Sequence, residues 1–156
     1  MKELSKEYKV PFVINDNIKV ALEVDADGVH IGQDDMSVEE ARKLLGEDKI
    51  IGVSAHNVKE ALKAQKGGAD YLGVGAVCAT STKKDANVVS KEEIKKIKEA
   101  VDIPIVAIGG IKKDNIDALT GTGIDGVAVV SAIFGAKDII KDTKELLKTV
   151  KKMKQE

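Results

Sequence analysis

Aromatic residues and cysteine are scarce in this sequence of 156 residues. It has no Trp, two Tyr and two Phe, so it offers few rings on which nucleic-acid bases could stack. Its single cysteine, Cys78, cannot form an internal disulfide, and no Cys/His group has the spacing of a structural zinc site. The composition therefore argues against a disulfide-stapled scaffold and a zinc-finger type of domain.

Long apolar runs and an excess of either charge are also missing. The longest apolar runs are far too short to span a bilayer, and the N-terminal stretch MKELSKEYKV lacks the apolar core of a signal peptide. The formal net charge of −1 gives no reason to expect a nucleic acid or a membrane surface as a partner. We therefore expect a soluble, cytoplasmic protein.

Short apolar runs alternate with charged stretches that have the helical period. Each run is continuously apolar, as expected for a parallel strand that is covered on both faces. The runs are Pro11–Ile14, Gly28–Ile31, Ile50–Val53, Tyr71–Val74, Ile103–Ile108 and Gly126–Val130. This pattern predicts an α/β fold of six βα units within a single domain that spans residues 1–156.

Helix start and stop signals lie between the apolar runs. Ser37, Asn57 and Ser90 are each followed three residues later by Glu, which is the pattern of an N-terminal capping box. The glycines expected to end helices are Gly46, Gly67 and Gly121. The stretch Ile139–Met153 predicts an amphipathic closing helix.

The number of βα units leaves the architecture open at this point. A closed eight-stranded barrel typically needs about 200 residues or more, and this chain is shorter. From the pattern alone, a six-stranded doubly wound sheet is the natural expectation.

Polar residues follow the first two runs, where a parallel sheet usually carries its functional groups. Asn15 and Asp16 follow the first run, and Asp34 and Asp35 come shortly after the second. Carboxylates from two strands could share a hard cation such as Mg²⁺, which prefers oxygen ligands and brings phosphates with it. The alternative is that these acids cap helices, which is the simpler interpretation for any one Asp.

Three further segments have groups that suit a phosphate. Thr80, Thr82 and Lys83 supply two hydroxyls and a cation within four residues. A Gly-Gly pair ending at Gly110, and Ser131 at a later helix start, offer backbone N–H groups. Either feature alone could simply form a turn, but the last two loops of many (β/α)8 barrels bind phosphate, and the ordered combination favours that role.

Two other side chains have alternative interpretations. His56 could be a general acid or base, but a single loop histidine is more often only part of the polar surface. Cys78 is interpreted as a small hydrophobe, because no neighbouring feature marks it as a nucleophile.

At these residues the chain resembles the thiamine phosphate synthase family, from about Val10 to its end. The segments that carry the resemblance are residues 11–16 (PFVIND), 30–35 (HIGQDD), 52–56 (GVSAH), 80–85 (TSTKKD), 108–111 (IGGI) and 130–133 (VSAI). Each is modest alone, but all six in order are highly specific. The resemblance implies a (β/α)8 TIM-barrel fold, here an incomplete barrel of about six parallel βα units that lacks the family's first two.

The resemblance also implies a reaction and a set of site residues. The family couples hydroxymethylpyrimidine diphosphate with hydroxyethylthiazole phosphate to give thiamine phosphate and diphosphate. Asp16 and Asp35 would hold Mg²⁺, Asn15 would contact the diphosphate, and catalytic roles would fall to Ser54, beside the pyrimidine and diphosphate, and to Lys83, which would neutralise leaving-group charge. The groups implied for the thiazole phosphate are Thr80 and Thr82 with the backbone of Gly110, Val130 and Ser131.

The chain departs from the family at two places, and two alternatives follow. Cys78 and Ala79 stand where the family often carries an aromatic residue and a proline, and the strand-two motif Gln-x-Arg-x-Lys, whose basic residues bind diphosphate, has no counterpart. One alternative is a thiazole tautomerase-like relative, which shares a histidine near His56 but typically lacks the Thr-x-Thr-Lys loop. The other is a non-catalytic phosphate-binding fragment. A barrel that lacks two strands would expose two unpaired edges and part of its core, so we expect either marginal stability or a homo-oligomer that covers the missing strands.

Overall fold

The structure is a computed structural model, and it describes residues 1–78 and 88–153. Helices and strands alternate along the chain. In order they are α1 (Lys2–Glu7), β1 (Val13–Asn15), α2 (Ile18–Glu23), β2 (Gly28–Ile31), α3 (Val38–Leu45), β3 (Ile50–Ala55), α4 (Val58–Lys66), β4 (Tyr71–Val74), α5 (Lys91–Ala100), β5 (Ile105–Ile108), a 3-10 turn (Ile116–Leu119), β6 (Gly126–Ala128), α6 (Ser131–Phe134) and α7 (Ile139–Met153).

The six strands form one parallel sheet in which each strand pairs with the next along the chain, in the order β1-β2-β3-β4-β5-β6. Because right-handed connections between such neighbours place every helix on the same face, the sheet curls into part of a barrel. A doubly wound sheet would reverse its strand order at a switch point. The expectation of a doubly wound sheet is therefore wrong, and the incomplete barrel is confirmed.

The two faces of the sheet differ in their burial. On the face towards the helices, Val29, Ile51, Leu72 and Ile105 have no exposed surface, and they form the core with helix residues such as Ala61. The opposite, inner face carries glycines and half-buried polar residues, as described below. The helices therefore supply the apolar core on one side of the sheet, and the other side is left for binding.

Capping side chains begin three of the helices as predicted. Ser37 and Glu40 form a complete capping box at α3, and the side chain of Asn57 accepts a hydrogen bond from the backbone N–H of Glu60 at α4. Ser90 caps α5 in the same way, but the carboxylate of Glu93 accepts from the N–H of Val58 and so joins α5 to α4.

Helix ends also follow the sequence signals closely. Gly46 and Gly67 directly follow α3 and α4, and Gly121 comes just after the 3-10 turn. The closing helix α7 has the predicted bounds, Ile139–Met153. Within residues 1–78 and 88–153, no helix has the length and apolar character needed to cross a membrane.

The bounds of β1, β3, β5 and β6 differ from the predicted ones, and a proline lies near the start of β1 and of β5. β1 begins at Val13, because Pro11 has no N–H and the N–H of Phe12 donates to the carboxylate of Asp27 at 2.7 Å. β5 begins at Ile105, just after Pro104, for the same reason. β3 continues to Ala55, two residues beyond its predicted end.

Replacing Gly28 should destabilise the sheet, because a Cβ at this first residue of β2 would lie 2.2 Å from the carbonyl oxygen of Ile50. We expect Gly28→Ala to lower the free energy of unfolding by about 1–3 kcal/mol through overpacking. The matched control is Gly126→Ala at the first residue of β6, where a Cβ would meet nothing within 4 Å. Urea denaturation measures both, and equal stabilities of the two variants would contradict the packing described here.

Candidate active site

The loops that follow β1, β2 and β3 lie side by side at the carboxyl edge of the sheet. The backbone N–H of Asp16 donates to the carbonyl of His30 at 2.7 Å, which attaches the end of β1 to β2. The side-chain amide of Gln33 donates to the carbonyl of Ser54 at 2.5 Å, which attaches the loop after β2 to the end of β3. These bonds bring the loops that bear Asp16, Asp35 and Ser54 next to one another.

Asp16 is exposed and does not cap a helix. The cap of α2 is Asn17, whose side-chain oxygen accepts from the N–H of Val20 at 3.0 Å. Asp16 itself has a φ of 63°, a left-handed conformation that Asp and Asn adopt more readily than most residues. The capping interpretation is therefore wrong for Asp16, and its carboxylate remains at the edge of the sheet.

Asp35 lies in the turn between β2 and α3 and is also exposed. One carboxylate oxygen accepts a hydrogen bond from the N–H of Gly32 at 2.6 Å, which folds the side chain back towards the end of β2. The cap of α3 is Ser37, so Asp35 is not a helix cap either.

The two carboxylates fit a magnesium ion in their chemistry. Both offer the hard oxygen donors that Mg²⁺ prefers, and they come from adjacent loops. Across residues 1–78 and 88–153, no group of three or more His, Cys, Asp and Glu could hold a metal. Mg²⁺ commonly binds through one or two carboxylates, with phosphate oxygens and water in the other positions, so a pair of carboxylates is an ordinary protein contribution.

Ser54 is in contact with two residues that the sequence analysis did not single out. Its hydroxyl lies 3.0 Å from Nε2 of His30, and Nδ1 of the same imidazole lies 2.9 Å from the hydroxyl of Tyr71. All three side chains are half-buried on the inner face of the sheet. The imidazole therefore bridges β2, β3 and β4 just below the carboxyl edge.

The sequence contains a signal for the contact between His30, Ser54 and Tyr71, but the signal predicts the contact only when the strand register is known. His30 and Tyr71 are polar aromatic residues inside otherwise apolar runs, and the register pairs each with Gly52 of the strand between them. Without the register, a histidine and a tyrosine separated by 41 positions give no indication that they meet.

His56 is held by Glu60 at the start of α4. Both the backbone N–H and Nδ1 of His56 lie 2.8 Å from one carboxylate oxygen of Glu60. Burial acts to raise the pKa of Glu60, but hydrogen bonds from His56 and Asn57 outweigh it and leave that pKa below its usual value. His56 is therefore a half-exposed residue with one ring nitrogen already engaged.

The backbone groups predicted to bind the thiazole phosphate lie in neighbouring loops. Ile108 pairs with Ala128 at the ends of β5 and β6, and Gly110 and Val130 each follow two residues later. Gly110 has a φ of 69°, and its carbonyl accepts from the side-chain amide of Asn115 at 2.9 Å. Ser131 is the first residue of α6.

The predicted residues Thr80, Thr82 and Lys83 lie outside the described part of the chain. The described residues on either side are attached to the ends of β5 and β4. The N–H of Cys78 donates to the carbonyl of Gly109, just after β5, at 3.1 Å, and the N–H of Val89 donates to the carbonyl of Ala76, just after β4, at 2.7 Å. Cys78 itself packs against the core, and burial, followed by the charge of Asp114, raises the pKa of its thiol.

A cavity of about 430 Å³ lies at the opposite, amino-terminal end of the sheet. It is bordered by the residues leading into β6 and by the end of α7, among them Gly123, Ile124, Val150 and Met153. None of the predicted site residues borders it, and in parallel sheets the chemistry belongs to the carboxyl ends of the strands. Its size therefore does not make it the active site.

Sequence comparisons match the chain to one family. The family model described as "Thiamine monophosphate synthase" matches residues 1–133. The thiamine-phosphate synthase of Methanobrevibacter smithii is 56% identical over 151 residues, which cover 97% of this chain and 72% of that protein. The thiamine-phosphate synthase of Clostridium acetobutylicum is 53% identical over 152 residues, with the same two coverages.

Comparison of structures gives the same result. A thiamine phosphate pyrophosphorylase from Pyrococcus furiosus superposes with a TM-score of 0.89 at 48% identity, over 97% of this chain and 73% of that one. A structure described as "Native KDPGal structure" has a TM-score of 0.74 at 16% identity, which shows a shared fold alone.

The His56–Glu60 contact should contribute stability that depends on pH. Since the pKa of Glu60 is lowered on folding, its contribution is present above the ordinary carboxyl pKa of about 4.3 and is lost as the pH falls through the lower folded value. Glu60→Gln should therefore be less stable than the wild type by about 1 kcal/mol at neutral pH, and the difference should shrink in acid.

Urea denaturation at several values from about pH 7 down to about pH 3 measures this effect. Glu99→Gln, at an exposed position on α5, serves as the control and should change stability little at any pH. If Glu60→Gln were less stable than the wild type by the same amount in acid as at neutral pH, the expected dependence of stability on pH would be wrong.

Proposed function

Because the chain belongs to the thiamine monophosphate synthase family, we infer that it joins hydroxymethylpyrimidine diphosphate to hydroxyethylthiazole phosphate and releases thiamine phosphate and diphosphate. It is thus a transferase that acts on small phosphorylated substrates. The observation that carries this inference is the match at about half identity over nearly the whole chain to proteins named as synthases. That match favours the synthase over the tautomerase-like and the non-catalytic alternatives.

The reaction exchanges one bond for another at a single carbon. The bond from the pyrimidine methylene carbon to a diphosphate oxygen breaks, and its electron pair leaves with the diphosphate. The methylene carbon, now cationic, accepts the lone pair of the thiazole nitrogen. Because no protein nucleophile, oxidant or proton donor is needed to balance this exchange, the protein can act through positioning and electrostatics.

We propose Asp16 and Asp35 as the protein ligands of Mg²⁺, which would offset the charge of the diphosphate when bound. Support comes from their exposed carboxylates, from their adjacent loops and from the observation that neither is a helix cap. The hydrogen bond from Gly32 would hold Asp35 in place, and the bond from Asp16 to the carbonyl of His30 would hold Asp16.

The remaining site residues are proposed for the two phosphorylated groups. Asn15, at the end of β1, would contact the diphosphate, and Ser54 would lie beside both pyrimidine and diphosphate. Lys83 would neutralise charge on the leaving group. The groups proposed for the thiazole phosphate are Thr80 and Thr82 with the backbone of Gly110, Val130 and Ser131.

We also propose that the enzyme acts in the cytoplasm as a homo-oligomer. In the described part of the chain, β1 and β6 are each paired on one side, and unpaired strand edges favour association. Exposed apolar residues follow β6 in the chain: Val130 is 62% exposed, and Phe134 at the end of α6 is 76% exposed. Contact between copies would cover these side chains.

Replacing the proposed metal ligands tests the function and the site together. Asp16→Asn retains a residue that tolerates the positive φ, and Asp35→Asn retains an acceptor for the N–H of Gly32. Loss of a carboxylate should raise the Mg²⁺ concentration needed for half-maximal thiamine phosphate formation by at least about 10-fold, since even outer-shell changes cost that much. Mg²⁺ titrations of product formation from the two substrates measure this effect.

Asp34→Asn is the matched control, because Asp34 is exposed and directly precedes Asp35. It should leave the Mg²⁺ requirement unchanged. If the Mg²⁺ requirement shifted with Asp34→Asn and not with Asp35→Asn, Asp34 would be the metal ligand, and the proposed role of Asp35 would be wrong. Folded wild-type chain that forms no thiamine phosphate at any Mg²⁺ concentration would overturn the proposed function.

The proposed assembly can be tested by analytical ultracentrifugation. Wild-type chain should sediment as a species larger than one chain, and Phe134→Glu should shift it towards the single chain by placing a charge in the contact. Leu44→Glu, at a residue of α3 that is 54% exposed, is the control and should sediment like the wild type. A wild-type chain that is monomeric at all concentrations would refute the assembly.

A further inference from the structure

The imidazole of His30 lies between two hydroxyls, and each ring nitrogen is engaged by one of them. Nδ1 lies 2.9 Å from the hydroxyl of Tyr71, and Nε2 lies 3.0 Å from that of Ser54. The rings of His30 and Tyr71 are 5.4 Å apart between centroids and are tilted by 40°. A neutral imidazole has one donor nitrogen and one acceptor nitrogen, so a hydrogen-bond chain through it has a direction.

We propose that Tyr71 and His30 are positioning residues that set the direction in which the Ser54 hydroxyl donates its hydrogen during the synthase reaction. The Tyr71 hydroxyl donates to Nδ1 of His30, and the N–H at Nε2 donates to Oγ of Ser54. The hydrogen of Ser54 is then left to donate to the diphosphate. This inference rests on the proposed contact between Ser54 and the pyrimidine diphosphate.

The opposite direction would suit the ligand poorly. If the N–H were at Nδ1, Nε2 would accept the hydrogen of Ser54, and only lone pairs of Oγ would face the diphosphate. An anion needs hydrogen-bond donors, so this arrangement would repel the group that it should hold. A phenol is also a stronger donor than an alcohol, which favours Tyr71 as the start of the chain.

Burial strengthens the role of Tyr71 as the donor. Desolvation raises the pKa of its phenol above the usual value, so the hydroxyl keeps its hydrogen throughout the physiological pH range. Among the described residues, no buried side-chain N or O atom is left without a hydrogen-bond partner. The hydrogen bonds that join Tyr71, His30 and Ser54 are therefore part of a satisfied polar network.

Two glycines leave space for the rings of His30 and Tyr71. A Cβ at Gly52 would lie 2.1 Å from Cζ of Tyr71, and a Cβ at Gly73 would lie 2.7 Å from Cε1 of His30. Any larger residue at either position would displace a ring and break the hydrogen bonds through His30. The two rings therefore lie directly over glycine backbone, which limits the positions they can adopt.

This arrangement predicts an effect on kcat more than on KM. As the bond to the diphosphate breaks, negative charge on the leaving oxygen grows, and a donor already aimed at it gains strength in the transition state without reorganisation. Removing the Tyr71 hydroxyl frees His30 to adopt either tautomer, so that Ser54 donates to the diphosphate only part of the time. Removing the Ser54 hydroxyl loses the donor altogether.

The kinetic test is a double-mutant cycle of Tyr71→Phe and Ser54→Ala in the full chain with Mg²⁺. We expect Ser54→Ala to lower kcat by about 100-fold and Tyr71→Phe by about 2- to 5-fold, in proportion to the fraction of His30 that loses its hydrogen at Nε2, with KM for the pyrimidine diphosphate changed by no more than about 2-fold. In the Ser54→Ala background, Tyr71→Phe should have no further effect. A merely structural role for Tyr71 would lower kcat equally in both backgrounds, and that result would overturn the proposal.

Tyr8→Phe is the matched control for the loss of a phenol hydroxyl. Tyr8 is 69% exposed next to α1, and its replacement should leave kcat unchanged. Thermal denaturation of all variants checks that each is folded. If Ser54→Ala were as active as the wild type, the contact on which the proposal rests would be absent, and the proposal would fail with it.

A spectroscopic test needs no turnover and separates failure of this proposal from failure of the proposed function. The chain has two histidines, so the imidazole nitrogens of the ¹⁵N-labelled free protein can be assigned by comparison with His56→Gln. We expect the hydrogen of His30 on Nε2 in the wild type, and a mixture of tautomers in Tyr71→Phe. A hydrogen on Nδ1 in the wild type would overturn the proposed direction, whether or not the chain forms thiamine phosphate.

Discussion

Gly52 lies in β3 between His30 of β2 and Tyr71 of β4, and much of the inner face depends on the space that its missing side chain leaves. A closed barrel fills this position with branched side chains in layers. Here two rings cross the glycines instead and meet over β3. Their hydrogen bonds fix Ser54 one step below the carboxyl edge, so the register of three strands determines the position of a hydroxyl in the proposed active site.

The opposite face of the same strands packs against the helices. Val29, Ile51 and Leu72 point towards the helices and carry no exposed surface, so most of the apolar burial lies on that side. Because burial on one face holds the strands in register, the inner face can carry polar groups that cost stability. The carboxyl edge can likewise carry exposed acids such as Asp16.

The chemistry proposed for this edge agrees with what the described residues offer. Exchange of a carbon–oxygen bond for a carbon–nitrogen bond requires charge compensation and alignment, and no protein nucleophile. Cys78 packs against the core with a thiol whose pKa is raised, which is unsuited to attack. His56 has one ring nitrogen bound to Glu60, and Ser54 is bound to an imidazole in an arrangement that we interpret as presenting its hydrogen.

The local signals in the sequence were sufficient for the elements and for the order of the site residues. Capping at Ser37 and Asn57, the bounds of α7 and the sequence of strands all follow from interactions between residues close in the chain. Such signals act over three or four residues and are visible in any linear reading. The six short motifs also identified the family, because each motif and their order can be read from the linear sequence.

The tertiary structure decided between the two sheet architectures that the pattern of βα units left open, and it alone showed which residues cap the helices and what lies against Ser54. A six-unit βα pattern is compatible with a doubly wound sheet and with part of a barrel, and the order of strand pairing distinguishes them. Likewise, Asn17 and Ser37 cap the helices next to Asp16 and Asp35, and this leaves the acids available at the edge. His30 and Tyr71 meet across an intervening strand, and such a contact depends on register, which forms only when distant segments pair.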